Sequence, residues 1–203
     1  MSKFQFLSSC LLLYLSGISI SFAQSEYNLE QTIRAVSHAF KTQNYKEVQT
    51  YIHPEYGYIY WYRIGIPILQ SYQRQSDFKF PTKDAVPPNI WFYQTPNPQQ
   101  KLQKTTQLPQ MQCEHWDKSG WYYQTTTQKP FTKVIDYNQK YEGISPQVSN
   151  QWREKVHVFE KNLVEMRYVG KSKIIGDDLH LYFSQIEGKW YLAAFDNAGD
   201  CDV

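Results

Sequence analysis

A histidine and a glutamate stand on either side of Pro54, where a helix is expected to give way to a strand. His53 and Glu55 are residue types that perform general acid–base catalysis, and Asp196 would join them if its strand pairs nearby. A histidine at such a corner can instead cap the helix or pack against its neighbours, and we favour this second interpretation. The sequence contains none of the motifs typical of serine hydrolases, zinc proteases or nucleotide-binding proteins.

A second group of candidate residues consists of Cys113, His115 and Asp117, which occupy every second position of the chain. On a strand all three side chains would therefore share one face. Sulfur, imidazole and carboxylate can together bind a transition metal, but the sequence shows no second group of ligands. The aspartates near the C-terminus lack the register and the closing glutamate of a calcium loop. We therefore predict no metal ion and no cofactor.

Aromatic residues are the one compositional excess, at 17% of the chain. They concentrate in the segment 58–64, whose composition is typical of a strand covered on both faces. Alternation places the three tyrosines on one face and Ile59, Trp61 and Arg63 on the other. If helices cover the isoleucine side, the tyrosine side either lines a ligand site or is sealed by the proline-rich segment that follows. The residues that we predict to contact a ligand are Tyr58, Tyr60, Tyr62, Arg63 and Trp91.

Residues 1–23 have the pattern of a secretory signal peptide. Lys3 precedes an apolar stretch over 11–22, and Ser21 and Ala23 place small residues before a cleavage site. A transmembrane anchor is the alternative, but the stretch has only about half of the roughly 20 apolar residues that a spanning helix needs. We predict cleavage after Ala23, no membrane span in the mature chain, and a periplasmic or secreted bacterial protein.

The predicted mature chain, residues 24–203, keeps two cysteines, Cys113 and Cys201. An even pair in an oxidising compartment is a candidate disulfide. Two free thiols or an intermolecular bridge are the alternatives. We favour the intrachain bond, which would tie the end of the chain to its middle.

The periodicity of the mature chain predicts helices before and after an irregular middle. Apolar residues repeat at helical spacing from Leu29 to Phe40. The proline-rich segment at about 67–111 is typical of a long functional loop or an irregular insertion. The spacing of apolar residues over 151–163 fits a helix. The shorter stretch 155–159 also fits a strand. The predicted helices cover 28–42, 44–52 and 131–141, and the predicted strands cover 58–64, 155–159, 163–169, 179–186 and 189–195.

The last predicted strand follows a tight turn at Glu187 and Gly188. Strict alternation along this strand puts Trp190 and Ala194 on one face and Phe195 on the other. We therefore predict that Trp190 is a buried, structural residue.

Two segments resemble an uncharacterised family of exported proteins from Bacteroidetes-type bacteria. They are His53-Pro-Glu-Tyr-Gly57, before the aromatic strand, and Gly188-Lys-Trp-Tyr-Leu192, which leads to Asp196. The resemblance extends to Cys113-Glu-His-Trp-Asp-Lys-Ser-Gly120 and to the Asp200-Cys-Asp202 ending, so it covers most of the mature chain. It implies an α+β fold and a single domain over 24–203. The implied fold is a nuclear transport factor 2-like (cystatin-like) cone, in which N-terminal helices pack on a bent antiparallel sheet. That family has no assigned activity, so the resemblance implies no catalytic residues.

The net charge of +2 lacks the basic excess of a nucleic-acid-binding protein. We predict an exported, non-catalytic binding or interaction module with an aromatic-rich pocket, whose partner is an unknown small molecule, glycan or protein. A small cone-fold enzyme with a His/carboxylate pair and a structural envelope protein are the alternatives. A pocket in which a histidine and two carboxylates converge would favour the enzyme, whereas one lined by tyrosine, tryptophan and Arg63 would favour binding.

Overall fold

The structure is a computed structural model that describes residues 24–63, 67–80, 93–112, 115–174 and 176–198. It has an α+β fold, in which helices cover a large bent sheet. The described helices are α1 (24–41), α2 (Tyr45–Thr50), α3 (Pro130–Tyr141) and α4 (Pro146–Glu160), with a short 3₁₀ helix at Gln75–Asp77. The described strands are β1 (Tyr58–Arg63), β2 (Ile68–Gln73), β3 (Leu102–Lys104), β4 (Met111–Gln112), β5 (His115–Trp116), β6 (Gly120–Thr126), β7 (Leu163–Val169), β8 (Asp178–Ile186) and β9 (Lys189–Asp196).

Seven strands form the main sheet in the order β2-β1-β9-β8-β7-β6-β3. Neighbouring strands are antiparallel except for the pairs β1–β9 and β3–β6, which are parallel. Strands β4 and β5 form a separate two-stranded ribbon. The last strand therefore lies inside the sheet, next to the first one, and its side chains meet residues from both ends of the chain.

Helices α1 and α2 cover one face of the sheet. The predicted apolar stripe from Leu29 to Phe40 is buried there against side chains of β1, β6, β8 and β9. The indole Nε1 of Trp190 donates to the carbonyl of Ser25 at 3.1 Å, and the hydroxyl of Tyr123 reaches carboxylates in the same helix. Hydrophobic burial thus holds the helix on the sheet, and these polar contacts fix its first turns.

Helices α3 and α4 cover the opposite face. Their apolar residues pack on the other side of the same strands, so both faces of β1 are covered. The hydroxyl of Ser145 caps α4 by accepting the backbone N–H of Val148 at 3.3 Å, and Pro146 occupies the first turn, where its missing N–H costs nothing. The buried residues of this second core include Ile59, Trp61, Phe131, Ile135, Val156, Phe159 and Tyr182.

Of the two alternatives for 151–163, the structure has the helix and not the strand at 155–159, because α4 continues to Glu160. Val156 and Phe159 lie three residues apart and are both fully buried on one face of the helix, which a strand would have turned to opposite sides. The other predicted helices and strands are present, with ends displaced by a few residues. Among the described residues, no helix is long and apolar enough to cross a membrane.

Strand β9 contains a β-bulge that interrupts its alternation. Tyr182 of β8 pairs with Ala194, whereas the next residue, Phe183, pairs with Leu192. Ala193 is therefore an extra residue without a direct partner on β8. Every side chain after this position points to the opposite face from the one that strict alternation assigns.

The structure overturns one prediction about β9 and confirms another. Phe195 lies in the core beneath α1 together with Trp190, whereas Ala194 lies in the core beneath α3 and α4. The predicted placement of Ala194 and Trp190 on one face is thus wrong. The predicted burial of Trp190 is confirmed, since only 8% of the residue is exposed.

Candidate functional site

The histidine proposed for acid–base chemistry caps the turn that follows it. The backbone N–H groups of Glu55 and Tyr56 donate to Nδ1 of His53 at 3.2 and 3.3 Å. The imidazole also packs against the rings of Tyr56 and Tyr191. The Glu55 residue is exposed, and in the described structure no hydrogen bond or ion pair joins His53 or Glu55 to Asp196. The three candidates do not converge.

Asp196 instead belongs to a buried group of four charged side chains that we call the charge cluster: Glu165, Arg167, His180 and Asp196. In the strand register Arg167 pairs with His180, and His180 pairs with Asp196. Three neighbouring strands thus present these side chains side by side. The bulge in β9 is what turns Asp196 to this face, because strict alternation would have placed it beneath α1 with Trp190.

The imidazole of His180 lies between two carboxylates. Its Nδ1 is 2.8 Å from Oδ2 of Asp196, and its Nε2 is 2.9 Å from Oε1 of Glu165. An Nη2 atom of Arg167 lies 3.8 Å from the same Glu165 oxygen and 2.8 Å from Nδ1 of the imidazole. The side chain of His180 is only 5% exposed, so these contacts are shielded from water.

The electrostatics of the charge cluster favour four charged groups. Burial and the Arg167 charge lower the pKa of His180, but Asp196 and Glu165 outweigh them and raise it to about 9. Burial raises the pKa of Glu165, but the hydrogen bond and charge of His180 outweigh it and lower the pKa to about 2. The pKa of Asp196 is also lowered, because the charge of His180 outweighs burial. Two cations and two anions therefore balance one another.

The surroundings of His180 favour its protonated form. A raised pKa favours the imidazolium, and an imidazolium has no free lone pair with which to act as a general base. Both ring nitrogens are already used by carboxylates. Within the described parts of the chain, no three metal-ligating side chains are arranged to hold an ion. The charge cluster joins strands β7, β8 and β9 through side-chain contacts.

The charge cluster also anchors the segment that covers it. An Nη1 atom of Arg167 donates to the carbonyl of Pro109 at 3.3 Å, and its guanidinium lies 4.8 Å from the ring centre of Trp116. The neighbouring metal candidates are arranged differently, since His115 is exposed and the carboxylate of Asp117 accepts the N–H of Gln110 at 2.9 Å. Arginine and indole thus join the ribbon region to the sheet.

Sequence reasoning identified Asp196 but not the other three members of the charge cluster. The sequence pattern that indicates buried charges lies in β7, where Glu165 and Arg167 alternate with apolar residues of an otherwise buried strand. Charged residues in such a strand need partners, because an isolated buried charge is strongly unfavourable. No local pattern could have indicated which distant strand supplies those partners.

The tyrosines of β1 differ in their surroundings. Tyr58 is 5% exposed and packs against the ring of Phe78, so it belongs to the core. Burial, above all, raises its pKa. Tyr60 is 9% exposed, and its hydroxyl accepts an N–H from Asn197 at 3.2 Å. Tyr62 is half-buried at the end of the strand, where its ring stacks on that of Tyr60 with 5.5 Å between the centroids.

These rings meet further aromatic residues around Phe195. The ring of Phe195 contacts Tyr60 at 5.7 Å and the half-buried Tyr93 at 5.9 Å. The hydroxyl of Tyr93 donates to the carbonyl of Phe40 at 3.3 Å. We call Tyr60, Tyr62, Tyr93 and Phe195 the tyrosine rim. It lies on the α1 side of the sheet, opposite the charge cluster.

Tyr62 differs from the other tyrosines of the rim. In the described parts of the chain its hydroxyl has no hydrogen-bond partner, and part of its ring remains exposed. Arg63 is half-buried and follows it at the end of β1. The predicted contact residue Trp91 and the predicted disulfide partners Cys113 and Cys201 lie outside the described residues.

No family model, no curated protein and no solved structure significantly matches the chain. A functional proposal for the chain therefore depends on the geometry of its own residues.

Proposed function

We propose that the chain is an exported, non-catalytic binding module whose ligand contacts the tyrosine rim. The observation that carries this proposal is Tyr62, a half-buried tyrosine stacked on Tyr60, with no described partner for its hydroxyl. A tyrosine in this position offers a ligand an apolar ring and a polar group at low conformational cost. The half-buried Tyr93 extends the same apolar surface, and the buried ring of Phe195 packs against Tyr60 and Tyr93.

The polarity of the rim indicates what kind of ligand fits. The hydroxyls of Tyr60 and Tyr93 are already used within the protein, so they position rings more than they bind a partner. The hydroxyl of Tyr62 is then the polar group that the rim offers to a partner. A small molecule or glycan with one apolar face and one hydrogen-bonding edge matches this combination.

The finer fold and the compartment are part of the proposal. A nuclear transport factor 2-like cone is supported by N-terminal helices packed on one face of a bent sheet, with aromatic residues at one end of that face. Export is supported by the signal-peptide pattern of residues 1–23. A disulfide between Cys113 and Cys201 would then form outside the cytoplasm.

Fluorine NMR on protein that contains 3-fluorotyrosine tests the proposal. The full-length chain is expressed with export, and the purified protein is screened against neutral saccharides and aromatic carboxylates. The Tyr62 resonance is assigned from a Tyr62→Phe variant. We expect compounds that shift this resonance, and we expect Tyr62→Ala to weaken their binding about tenfold, equivalent to about 1.4 kcal/mol.

Tyr45, an exposed tyrosine on α2 outside the rim, provides the matched control. Tyr45→Ala should leave the affinity of every compound unchanged. Compounds that bind without shifting the Tyr62 resonance, with equal affinity for the wild type and Tyr62→Ala, would show that the rim is not the binding surface. Turnover of a compound that is lost in Glu55→Gln, a substitution of an exposed candidate, would instead support the enzyme alternative.

A further inference from the structure

Helix α3 carries a second aromatic surface, on the opposite side of the sheet from the tyrosine rim. Tyr137 and Tyr141 are 41% and 59% exposed, and their ring centroids lie 4.8 Å apart with the planes tilted by 45°. The two tyrosines are one helical turn apart, so both rings emerge on the same side of the helix. The inward side of α3 is already occupied by Phe131 and Ile135, which are fully buried.

Lysines extend this surface towards the start of the helix and lie beside the tyrosines. They are Lys129, Lys133 and Lys140, all exposed. With the two tyrosines they form what we call the α3 stripe, about 18 Å long from residue 129 to residue 141 at the helical rise of about 1.5 Å per residue. An elongated surface of this kind suits an extended chain better than a compact small molecule.

The unpaired charge of the α3 stripe is positive. The carboxylate of Asp136 is neutralised by Arg153, at 2.7 Å between Oδ1 and Nη2. The ammonium of Lys133 donates to a neutral amide of Gln128, so its charge is not cancelled. Two further carboxylates lie at α3: Glu142, after the end of the helix, and Glu160, which accepts the N–H and the hydroxyl of Thr132. The three lysines outnumber them.

We propose that the α3 stripe binds an acidic polysaccharide. The tyrosine rings stack on the C–H faces of sugar rings, and their hydroxyls hydrogen-bond to sugar hydroxyls. The lysines pair with the carboxylate or sulfate groups of the chain through charge-assisted hydrogen bonds. The ammonium of Lys140 lies 4.7 Å from the ring centre of Tyr141, which places a cation beside the stacking surface. The proposal does not depend on a ligand at the tyrosine rim.

A nucleic acid is a weaker match for the same surface. Single-stranded nucleic acids also stack on aromatic residues and pair with cations. Such proteins usually carry a strong basic excess, however, whereas the net charge of the whole chain is only +2. An acidic polysaccharide with one acidic group per one or two sugar residues carries fewer charges than a nucleic acid of similar length. It therefore needs fewer cations on the protein that binds it.

Isothermal titration with two pairs of polymers tests the proposal. The acidic polymers are polygalacturonate and dextran sulfate, and their matched neutral forms are methyl-esterified polygalacturonate and dextran. We expect the wild-type protein to bind at least one acidic polymer at low salt, more weakly as salt is added, and to bind its neutral form at least about tenfold more weakly.

Substitutions then locate the binding surface. We expect Tyr137→Ala combined with Tyr141→Ala to weaken binding about tenfold or more, and Lys133→Gln combined with Lys140→Gln to reduce both affinity and its salt dependence. Tyr27→Ala is the matched control, because Tyr27 is 59% exposed on α1, on the other side of the sheet. It should bind like the wild type, as should Tyr62→Ala.

Thermal melting establishes that each variant is folded, since the substituted side chains are exposed. The proposal is overturned if the wild type binds neither acidic polymer at low salt. It is equally overturned if the double tyrosine variant binds as tightly as the wild type. Tighter binding to a single-stranded oligonucleotide or to vesicles of anionic phospholipid than to either polysaccharide would assign the α3 stripe to a different partner.

Discussion

Replacing His180 by glutamine removes the cation that lies between the buried carboxylates of Glu165 and Asp196. Glutamine fits the space of the imidazole approximately, but it cannot neutralise two anions. Arg167 is then the only cation left in the charge cluster, and one buried negative charge is uncompensated. We expect a large loss of stability without a change of fold.

The structure provides the magnitude of this loss. The pKa of His180 rises from an ordinary value of 6.5 to about 9, which corresponds to roughly 3 kcal/mol at about 1.36 kcal/mol per pKa unit. Removing one partner of a buried ion pair typically costs about 3–5 kcal/mol, which is the same range. His180→Gln should therefore lower the free energy of unfolding by about 3 kcal/mol near pH 6.

The sign of the pH dependence follows from the direction of each shift. The pKa of His180 is raised in the folded protein, so its contribution is complete below about pH 6.5 and is lost as the pH rises through about 9. The pKa of Glu165 is lowered, so its contribution is present above about pH 4.5 and is lost as the pH falls through about 2. Stability should be greatest between about pH 4.5 and pH 6.5.

Urea unfolding followed by tryptophan fluorescence measures this prediction in the wild type, His180→Gln and the control His157→Gln. His157 is exposed on α4, so its replacement should change little. The difference between the wild type and His180→Gln should shrink as the pH rises from about 6 to about 9.5. A difference that stays constant over this range would refute the assignment of a buried, protonated His180.

Three further predictions concern the framework of the protein. Trp190→Ala should lower the free energy of unfolding by about 3–5 kcal/mol, because a buried ring and its hydrogen bond to Ser25 are lost. A melting temperature equal to that of the wild type would contradict this prediction. Deletion of Ala193 should prevent native folding, measured by circular dichroism, because it turns the following residues to the wrong faces, whereas Ala193→Gly should still fold. Non-reducing peptide mapping of exported protein should recover Cys113 and Cys201 in one linked peptide pair, and recovery of both as free thiols would exclude the bond.

The amino-acid sequence by itself determined most of the local structure. The apolar spacing from Leu29 to Phe40 is enough to form the stripe of α1, because a helix needs only one continuous face to bury. The alternation in β8 and the turn at Glu187 and Gly188 likewise specify a hairpin. These features depend on residues close together in the chain, so a sequence pattern contains them completely. The choice between helix and strand at 155–159 was harder, because short apolar repeats fit both periods.

Only the tertiary structure decided which charged residues meet. Glu165, His180 and Asp196 come from three strands, and their contacts depend on register between segments far apart in the sequence. One extra residue, Ala193, turns Asp196 away from α1 and towards His180, and the same shift brings Phe195 to the tyrosine rim. Strict alternation assigns both side chains to the opposite faces, because a bulge exists only relative to a partner strand.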